Sequence, residues 1–94
     1  MQDARKDLRN LAIIAVVGEF GFDRVVGIGE YYLEPAENMA EVAFSVSRDF
    51  QGKGLGSILM RKLAKAALEN RIAGLFAVTS PRNKAMINLF KTLP

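Results

Sequence analysis

The sequence of 94 residues contains no cysteine and no histidine. The lack of cysteine excludes disulfide bonds, thiolate metal ligands and a cysteine nucleophile. The lack of histidine excludes a histidine general base, a serine–histidine–aspartate triad and a zinc site with imidazole ligands. Any general-base chemistry must therefore come from a carboxylate, a lysine, a tyrosine or a water molecule.

Long apolar segments and a strong excess of one charge are also missing. The apolar run at residues 11–17 is short and is followed at once by Gly18 and Glu19, so neither a signal peptide nor a membrane span is indicated. The net charge is +3, and the basic residues are scattered rather than interleaved with aromatic residues. This balance argues against nucleic-acid binding and is compatible with an anionic cofactor. We therefore expect a soluble, cytoplasmic protein with neither membrane nor nucleic-acid partners.

Half of the residues are hydrophobic, which is enough for one small domain with a real core. The apolar periodicity predicts strands at residues 11–17, 25–33, 39–46 and 75–79, and helices at residues 55–70 and 83–90. The continuous first run is typical of a buried strand. The strand–helix–strand order predicts a right-handed crossover that pairs residues 42–46 in parallel with residues 75–79. Gly27 and Gly29 indicate a bulge or a close backbone approach in the second strand.

The first helix has a clear amphipathic pattern. Its predicted core stripe consists of Leu55, Leu59, Leu63, Ala66 and Ala67. Its predicted solvent face carries Arg61, Lys62, Lys65 and Glu69. We interpret these charges as a solvated surface without a specific function.

The most informative segment lies between the third strand and the first helix, at residues 51–57, with sequence Gln-Gly-Lys-Gly-Leu-Gly-Ser. Its three glycines at alternate positions permit positive φ angles and a close approach of a ligand to the main chain. The following helix start offers free N–H groups and a partial positive charge, and Lys53 adds a formal one. These features predict a phosphate or pyrophosphate site. A flexible turn that binds nothing is the alternative.

Two common nucleotide motifs do not fit this segment. The P-loop pattern fails because Lys53 lies between the glycines and no Gly-Lys-Ser follows. The dinucleotide fingerprint fails because its glycine spacing differs and the nearest downstream acid, Glu69, lies within the helix. A different class of phosphate ligand is therefore indicated.

Glu41 is the unusual residue of the third strand. It shares one face with Ala43 and Ser45, whereas Val42, Phe44 and Val46 form the core face. One interpretation is a solvated glutamate at a strand end. The other is a partly buried carboxylate whose pKa is raised, so that it can take a proton from an amine.

The pattern Gln-x-x-Gly-x-Gly is formed by Gln51, Gly54 and Gly56, and it resembles the acetyl-CoA pyrophosphate loop of the GNAT family of N-acetyltransferases. The resemblance covers about residues 11–93. Residues 40–46 look like the family's central strand, and residues 83–90 resemble its asparagine-containing helix. The resemblance implies the α/β GNAT acyltransferase fold, with a central, mostly antiparallel sheet and one parallel strand–helix–strand unit.

The resemblance also implies roles for individual residues. Glu41 would be the general base, often acting through a water molecule, and Asn83 would contact the pantetheine arm of CoA rather than serve only as a helix-entry residue. Backbone N–H groups near Val46 would polarise the thioester carbonyl. The implied residues for binding acetyl-CoA are Phe44, Ser45, Val46, Ser47, Gln51, Gly52, Lys53, Gly54, Leu55, Gly56, Ser57 and Asn83. No metal is implied.

One departure from the family concerns the general acid. Many relatives carry a tyrosine seven residues after the asparagine, where this chain has Phe90. A phenyl ring cannot donate a proton, so we expect Phe90 to be a core residue and leave the general acid unassigned. Tyr31 and Tyr32 are the two tyrosines of the chain.

Typical relatives have a further strand and two helices before the first predicted strand, and two more strands after the last predicted helix. Residues 1–94 are therefore expected to be a single partial GNAT domain, truncated at both ends, whose catalytic competence is in doubt. Its exposed edges favour self-association, for example as a homodimer. The Ala-Glu-x-Ala segment at residues 40–43 also looks like the C-terminal domain of bacterial protein-lysine acetyltransferases, which are fused to a domain resembling NDP-forming acyl-CoA synthetases.

The resemblance predicts an N-acetyltransferase that transfers the acetyl group of acetyl-CoA to a primary amine by direct attack. A protein lysine is one candidate acceptor, and the sequence does not determine which amine is used. The alternative is a non-catalytic module that binds acyl-CoA and regulates a larger protein. A small α/β domain whose glycine turn binds no ligand is a third interpretation.

Overall fold

The computed structural model describes residues 9–18 and 24–93. Its elements, in chain order, are β1 (Asn10–Val17), β2 (Arg24–Glu34), β3 (Met39–Val46), a 3₁₀ turn (Arg48–Phe50), α1 (Leu55–Glu69), β4 (Gly74–Phe76) and α2 (Lys84–Lys91). The strands form one sheet in the order β1-β2-β3-β4. The first two pairings are antiparallel and the third is parallel. The predicted mixed α/β class and its single parallel strand–helix–strand unit are therefore confirmed.

Helix α1 covers one face of this sheet. Of its predicted stripe, Leu59, Leu63 and Ala67 are buried, whereas Leu55 and Ala66 are half-buried; Met60, which was not predicted, is buried as well. Met60, Leu63 and Ala67 join residues of β2, β3 and the segment before β4 in one core, which contains Tyr31, Ala40, Val42 and Ile72. The predicted charged residues of the helix, Arg61, Lys62, Lys65 and Glu69, are all exposed.

The two glycines of β2 permit this close packing. A Cβ atom added to Gly29 would lie 3.1 Å from the Phe44 ring and 3.2 Å from Leu59. One at Gly27 would lie 3.0 Å from Leu55. The pairing register of β1 with β2 also shifts between Ala15 and Val16, opposite Gly27. Both predicted reasons for the glycines, a bulge and a close approach, are therefore present.

The prediction that the first strand is buried is wrong for the described part of the chain. β1 alternates between exposed and half-buried side chains, and Ile14 and Val16 are 56% and 52% exposed. Leu11 and Ile13 pack against the core on the α1 side. The run is apolar on both faces, but among the described residues α1 covers only one of them.

The parallel pairing is shorter than predicted and has a different register. β4 contains three residues, and its partners in β3 are Met39, Ala40 and Glu41 rather than residues 42–46. Two hydrogen bonds set this register: the Ala73 N–H donates to the Asn38 carbonyl, and the Asn38 side chain donates to the Arg71 carbonyl, each over 2.8 Å. Within the described residues, the edge of β3 at residues 42–46 therefore has no strand partner on the β4 side.

Candidate functional site

The glycine-containing turn has the backbone geometry that its sequence requires. Gly52 and Gly54 have φ angles of +76° and +85°, in the left-handed region that favours glycine. A Cβ atom at either position would meet nothing within 4 Å, so φ rather than packing explains both glycines. The first hydrogen bond of α1 runs from the Ile58 N–H to the Gly54 carbonyl. The N–H groups of residues 55–57 therefore have no acceptor within the helix and are suited to bind an anion.

Side chains attach this turn to the sheet. The Gln51 side-chain amide donates to the Val46 carbonyl over 3.0 Å. The carboxylate of Asp49 accepts one hydrogen bond from the Ser47 hydroxyl and one from the Arg24 guanidinium, each over 2.7 Å. These bonds connect β2, the end of β3 and the 3₁₀ turn just before the glycines.

The same region has an aromatic residue between two cations. The Arg24 guanidinium and the Lys53 ammonium lie 5.9 and 5.4 Å from the centre of the Phe50 ring. These distances are within the range of a cation–π interaction. They hold the Lys53 side chain against the turn.

The Asp49 carboxylate gives a direct test of this network. Its hydrogen bonds from Arg24 and then Ser47 lower its pKa from 3.8 to about 2. Because the folded pKa is the lower one, the interaction stabilises the fold above pH 4 and is lost as the pH falls through 2. We expect an NMR titration to place the Asp49 midpoint near pH 2, and the Arg24→Gln variant to move it back toward 3.8. A wild-type midpoint near 3.8 would contradict the pairing.

A cavity of about 600 Å³ lies along the turn, between the free edge of β3 and α2. Nine of the twelve predicted binding residues line it: Phe44, Val46, Gln51, Gly52, Gly54, Leu55, Gly56, Ser57 and Asn83. The other three do not. Ser45 lies on the opposite face of β3, Ser47 is bonded to Asp49, and Lys53 lies over the Phe50 ring.

Four residues that line the cavity were missed by the sequence interpretation: Phe50, Ala85, Met86 and Leu89. The last three belong to the apolar stripe of α2, which looked like ordinary core. Gly56 explains their position, because a Cβ atom there would lie 3.1 Å from Leu89. The glycine therefore lets α2 approach α1 and close one side of the cavity. Of the four residues, Phe50 alone had a signal in the sequence that could have placed it at the cavity: it is an aromatic residue directly before Gln51.

Asn83 does serve as a helix-entry residue. Its side-chain oxygen accepts a hydrogen bond from the Met86 N–H at 3.1 Å, and its amide donates to the Thr79 hydroxyl at 2.9 Å. These bonds cap α2. They also fix Asn83 in the wall of the cavity.

Glu41 lies outside the cavity. It is exposed on the sheet face opposite α1, so the expected partial burial is wrong. Its cross-strand neighbours are Tyr32 of β2 and Phe76 of β4. The alternation of β3 places it there, and the described residues do not cover that face. The role of Glu41 as a base stays a prediction.

Phe90, Tyr31 and Tyr32 lie in three different environments. Phe90 packs against the core, as expected. Tyr31 is buried, and its hydroxyl accepts a hydrogen bond from Asn70 over 2.8 Å. Tyr32 is exposed and donates to Glu30. Tyr31 is therefore fixed within the core, whereas Tyr32 shares the open face with Glu41.

Residues 9–18 and 24–93 contain neither a membrane-spanning helix nor a carboxylate metal site. No helix there is long and apolar enough to cross a membrane. No group of three or more aspartate or glutamate side chains in that part of the chain could hold a metal ion.

The chain matches a known protein family over almost its whole length. The model of the Acetyltransferase (GNAT) family matches residues 2–93. The chain belongs to the GNAT family. The family is one of acetyltransferases.

Individual relatives agree with this assignment. An acetyltransferase from Pseudomonas aeruginosa is 37% identical over 81 residues, which are 86% of this chain and 44% of that protein. A mutant form of the cAMP-binding acyltransferase from Mycobacterium smegmatis is 30% identical, with a TM-score of 0.79, over 92% of this chain and 27% of that one. The GNAT domain of S. lividans PAT is 28% identical, with a TM-score of 0.74, over 90% of this chain and 51% of that one. The chain thus spans less than half of the length of the Pseudomonas aeruginosa relative.

Proposed function

We propose that this chain transfers the acetyl group of acetyl-CoA to a primary amine by direct attack. The observation that carries the proposal is the cavity, which brings together the glycine turn, the unpaired edge of β3 and Asn83 in a chain of the GNAT family.

The residues present fit acetyl-CoA in charge and in shape. The N–H groups of residues 52–57 would bind its pyrophosphate, with Lys53 adding a positive charge nearby. The free edge of β3 at residues 44–47 would hydrogen-bond the pantetheine arm as a strand does, with Asn83 beside it. Apolar side chains of α2 such as Met86 and Leu89 would pack against the aliphatic parts of the arm.

The reaction needs a base and an electrophile. Acetyl-CoA supplies the activated thioester carbonyl. Glu41 removes one proton from the acceptor ammonium, and the free amine forms a C–N bond to that carbonyl carbon. The C–S bond breaks, one of the two protons left on nitrogen goes to the departing sulfur, and the other stays in the amide. The absence of cysteine and histidine favours this direct route.

The position of Glu41 determines how the proton travels. Glu41 is three residues from Phe44, and a strand rises by about 3.3 Å per residue, so the two are separated by about 10 Å along β3. That distance is too long for direct transfer from an amine at the cavity edge. We therefore infer that at least one water molecule, or a polar side chain on the same face, connects them.

The acceptor is proposed to be a primary amine such as a protein lysine. The Ala-Glu-x-Ala segment at residues 40–43 supports this, because it looks like the corresponding segment of bacterial protein-lysine acetyltransferases.

A non-catalytic module that binds acyl-CoA is the second candidate. Two observations favour it: Glu41 lies outside the cavity, and Phe90 replaces the tyrosine of many relatives. Such a module would bind acetyl-CoA with the same turn and edge but would not transfer its acetyl group.

The first test is a calorimetric titration of the chain with acetyl-CoA, with ATP and NAD as controls. We expect acetyl-CoA to bind and the other two to bind much more weakly, because only acetyl-CoA can occupy both the turn and the strand edge. A folded chain that does not bind acetyl-CoA, or that binds all three ligands equally, would contradict the proposal.

The Gly54→Val variant links this binding to the turn. A left-handed φ costs an L-residue about 1–2 kcal/mol, so we expect the turn to shift and the affinity for acetyl-CoA to fall about 5- to 30-fold. The fold should survive, because a side chain at this position meets nothing within 4 Å. Circular dichroism serves as the control. Loss of the fold with no specific effect on affinity would instead favour a purely structural turn.

A further inference from the structure

Tyr32 stands directly beside the proposed base. In the β2–β3 register it is the cross-strand partner of Glu41, and both side chains are on the face opposite α1. Cross-strand partners have Cβ atoms about 4.5–5.5 Å apart. Tyr32 is 46% exposed, so its ring is accessible to a ligand.

The Tyr32 hydroxyl has a fixed orientation. It donates its hydrogen bond to the Glu30 carboxylate, two residues back on the same strand. This bond, together with the nearby negative charge, raises the pKa of Tyr32 and keeps the phenol protonated. The phenol oxygen therefore has its donor engaged and its lone pairs free. Toward solvent, the hydroxyl can only accept.

The bond also directs the Tyr32 ring along β2 toward Glu30. Glu30 is the cross-strand partner of Ala43, which is the neighbour of Phe44 at the cavity. The small side chain of Ala43 is exposed and leaves space above the sheet at this point. The Tyr32–Glu30 pair thus lies beside Glu41 and Ala43, on the strand that pairs with β3 on the side away from its free edge.

The strand segments around these groups carry charges of one sign. Over residues 10–16, 28–34, 39–45 and 74–76, the charged side chains are Glu30, Glu34 and Glu41, all negative. An ammonium has three N–H donors and no acceptor, which is the complement of two carboxylates and an accepting phenol oxygen. The Tyr32 ring adds the possibility of a cation–π contact.

We propose that Tyr32, fixed by Glu30, binds the ammonium group of the acceptor and holds it above Ala43 beside Glu41. The inference rests on the proposed function and specifies its acceptor as a cationic alkyl amine, such as an extended lysine side chain. One ammonium N–H donates to the Tyr32 oxygen, one to Glu30, and the third points toward Glu41, which takes the proton through a water molecule. The free edge of β3 is open to both sheet faces, so acetyl-CoA on the α1 side and an amine on the other side meet there.

The experiment measures amine binding and turnover separately. The chain is saturated with CoA, which cannot react, and is titrated by NMR with lysine whose α-amine and carboxylate are blocked. The matched ligand is the same compound with a hydroxyl in place of the side-chain ammonium. Acetyl transfer to the blocked lysine gives KM and kcat for each variant.

Two variants remove the contacts, and a third is the control. We expect Glu30→Gln to weaken binding of the blocked lysine about tenfold or more and Tyr32→Phe about threefold or more, the range for charge-assisted and neutral hydrogen bonds. The effect should appear in KM more than in kcat, since both residues bind the amine without taking its proton. Tyr31→Phe removes the neighbouring hydroxyl on the other face and should leave KM within about twofold, as expected for a change away from the amine.

The outcomes separate this inference from the proposed function. In a chain that still binds acetyl-CoA, two results overturn the inference. One is equal binding of the blocked lysine and its hydroxyl analogue. The other is a KM that is unchanged in both Glu30→Gln and Tyr32→Phe. Failure of the wild-type chain to bind acetyl-CoA overturns the proposed function and this inference with it.

Discussion

Replacing Glu41 by glutamine is expected to reduce acetyl transfer about 10²- to 10⁴-fold, the usual contribution of a general base. Glutamine keeps the size and shape of the side chain but cannot take a proton from the acceptor ammonium. Because Glu41 is exposed and lies outside the cavity, the variant should fold normally and bind acetyl-CoA with unchanged affinity. Transfer to an amine is followed by the release of free thiol, and affinity is followed by calorimetry.

Glu69→Gln is the matched control for this change. Glu69 is an exposed glutamate at the end of α1, so its variant loses the same charge away from the site. Transfer that is equal in Glu41→Gln, Glu69→Gln and the wild type would remove Glu41 from the mechanism. A wild-type chain that binds acetyl-CoA but transfers nothing would favour the regulatory module instead.

The second large effect is expected from Leu63→Ala in the core. Leu63 is fully buried in α1 against the sheet, among Tyr31, Val42 and Met60. Truncation of such a leucine costs about 2–5 kcal/mol, from lost transfer free energy and the cavity that remains. A domain of this size has a total stability of roughly 5–14 kcal/mol. The variant should therefore be markedly less stable, with a large drop in its urea midpoint.

Leu68→Ala makes the same chemical change on the solvent side of the same helix. Leu68 is 76% exposed, so we expect a change of about 0.5 kcal/mol or less. The comparison cancels the effect of the substitution on helix propensity. Similar urea midpoints for the two variants would show that α1 does not pack on the sheet as described.

Local patterns were sufficient to predict much of the site. The amphipathic stripe of α1 and the glycines of the turn are encoded within short segments, so both could be read from sequence. The positive φ angles of Gly52 and Gly54 follow from that local information, whereas the nine predicted residues that line the cavity came from the family resemblance. Recognition of the family pattern added Asn83, whose local signal indicated only a helix start.

Features that depend on distant contacts were predicted less well. The register of β4 is set by bonds of Asn38 with residues 71–73, which no periodicity reveals. The apolar run of β1 suggested burial on both faces, but burial depends on what covers each face. The exposure of Glu41 and the contact of Gly56 with Leu89 have the same origin, since each requires the relative placement of separate elements.

The short ladder between β3 and β4 has a consequence for local unfolding. Residues 74–93 are joined to the sheet by three residue pairs, whereas β2 and β3 share eight. A segment with few backbone pairs opens at a lower free energy than the rest of a domain. Since α2 forms one wall of the cavity, such opening would expose the bound ligand to solvent without unfolding the β1–β3 sheet. The residence time of acetyl-CoA would then be set by how often the C-terminal segment detaches.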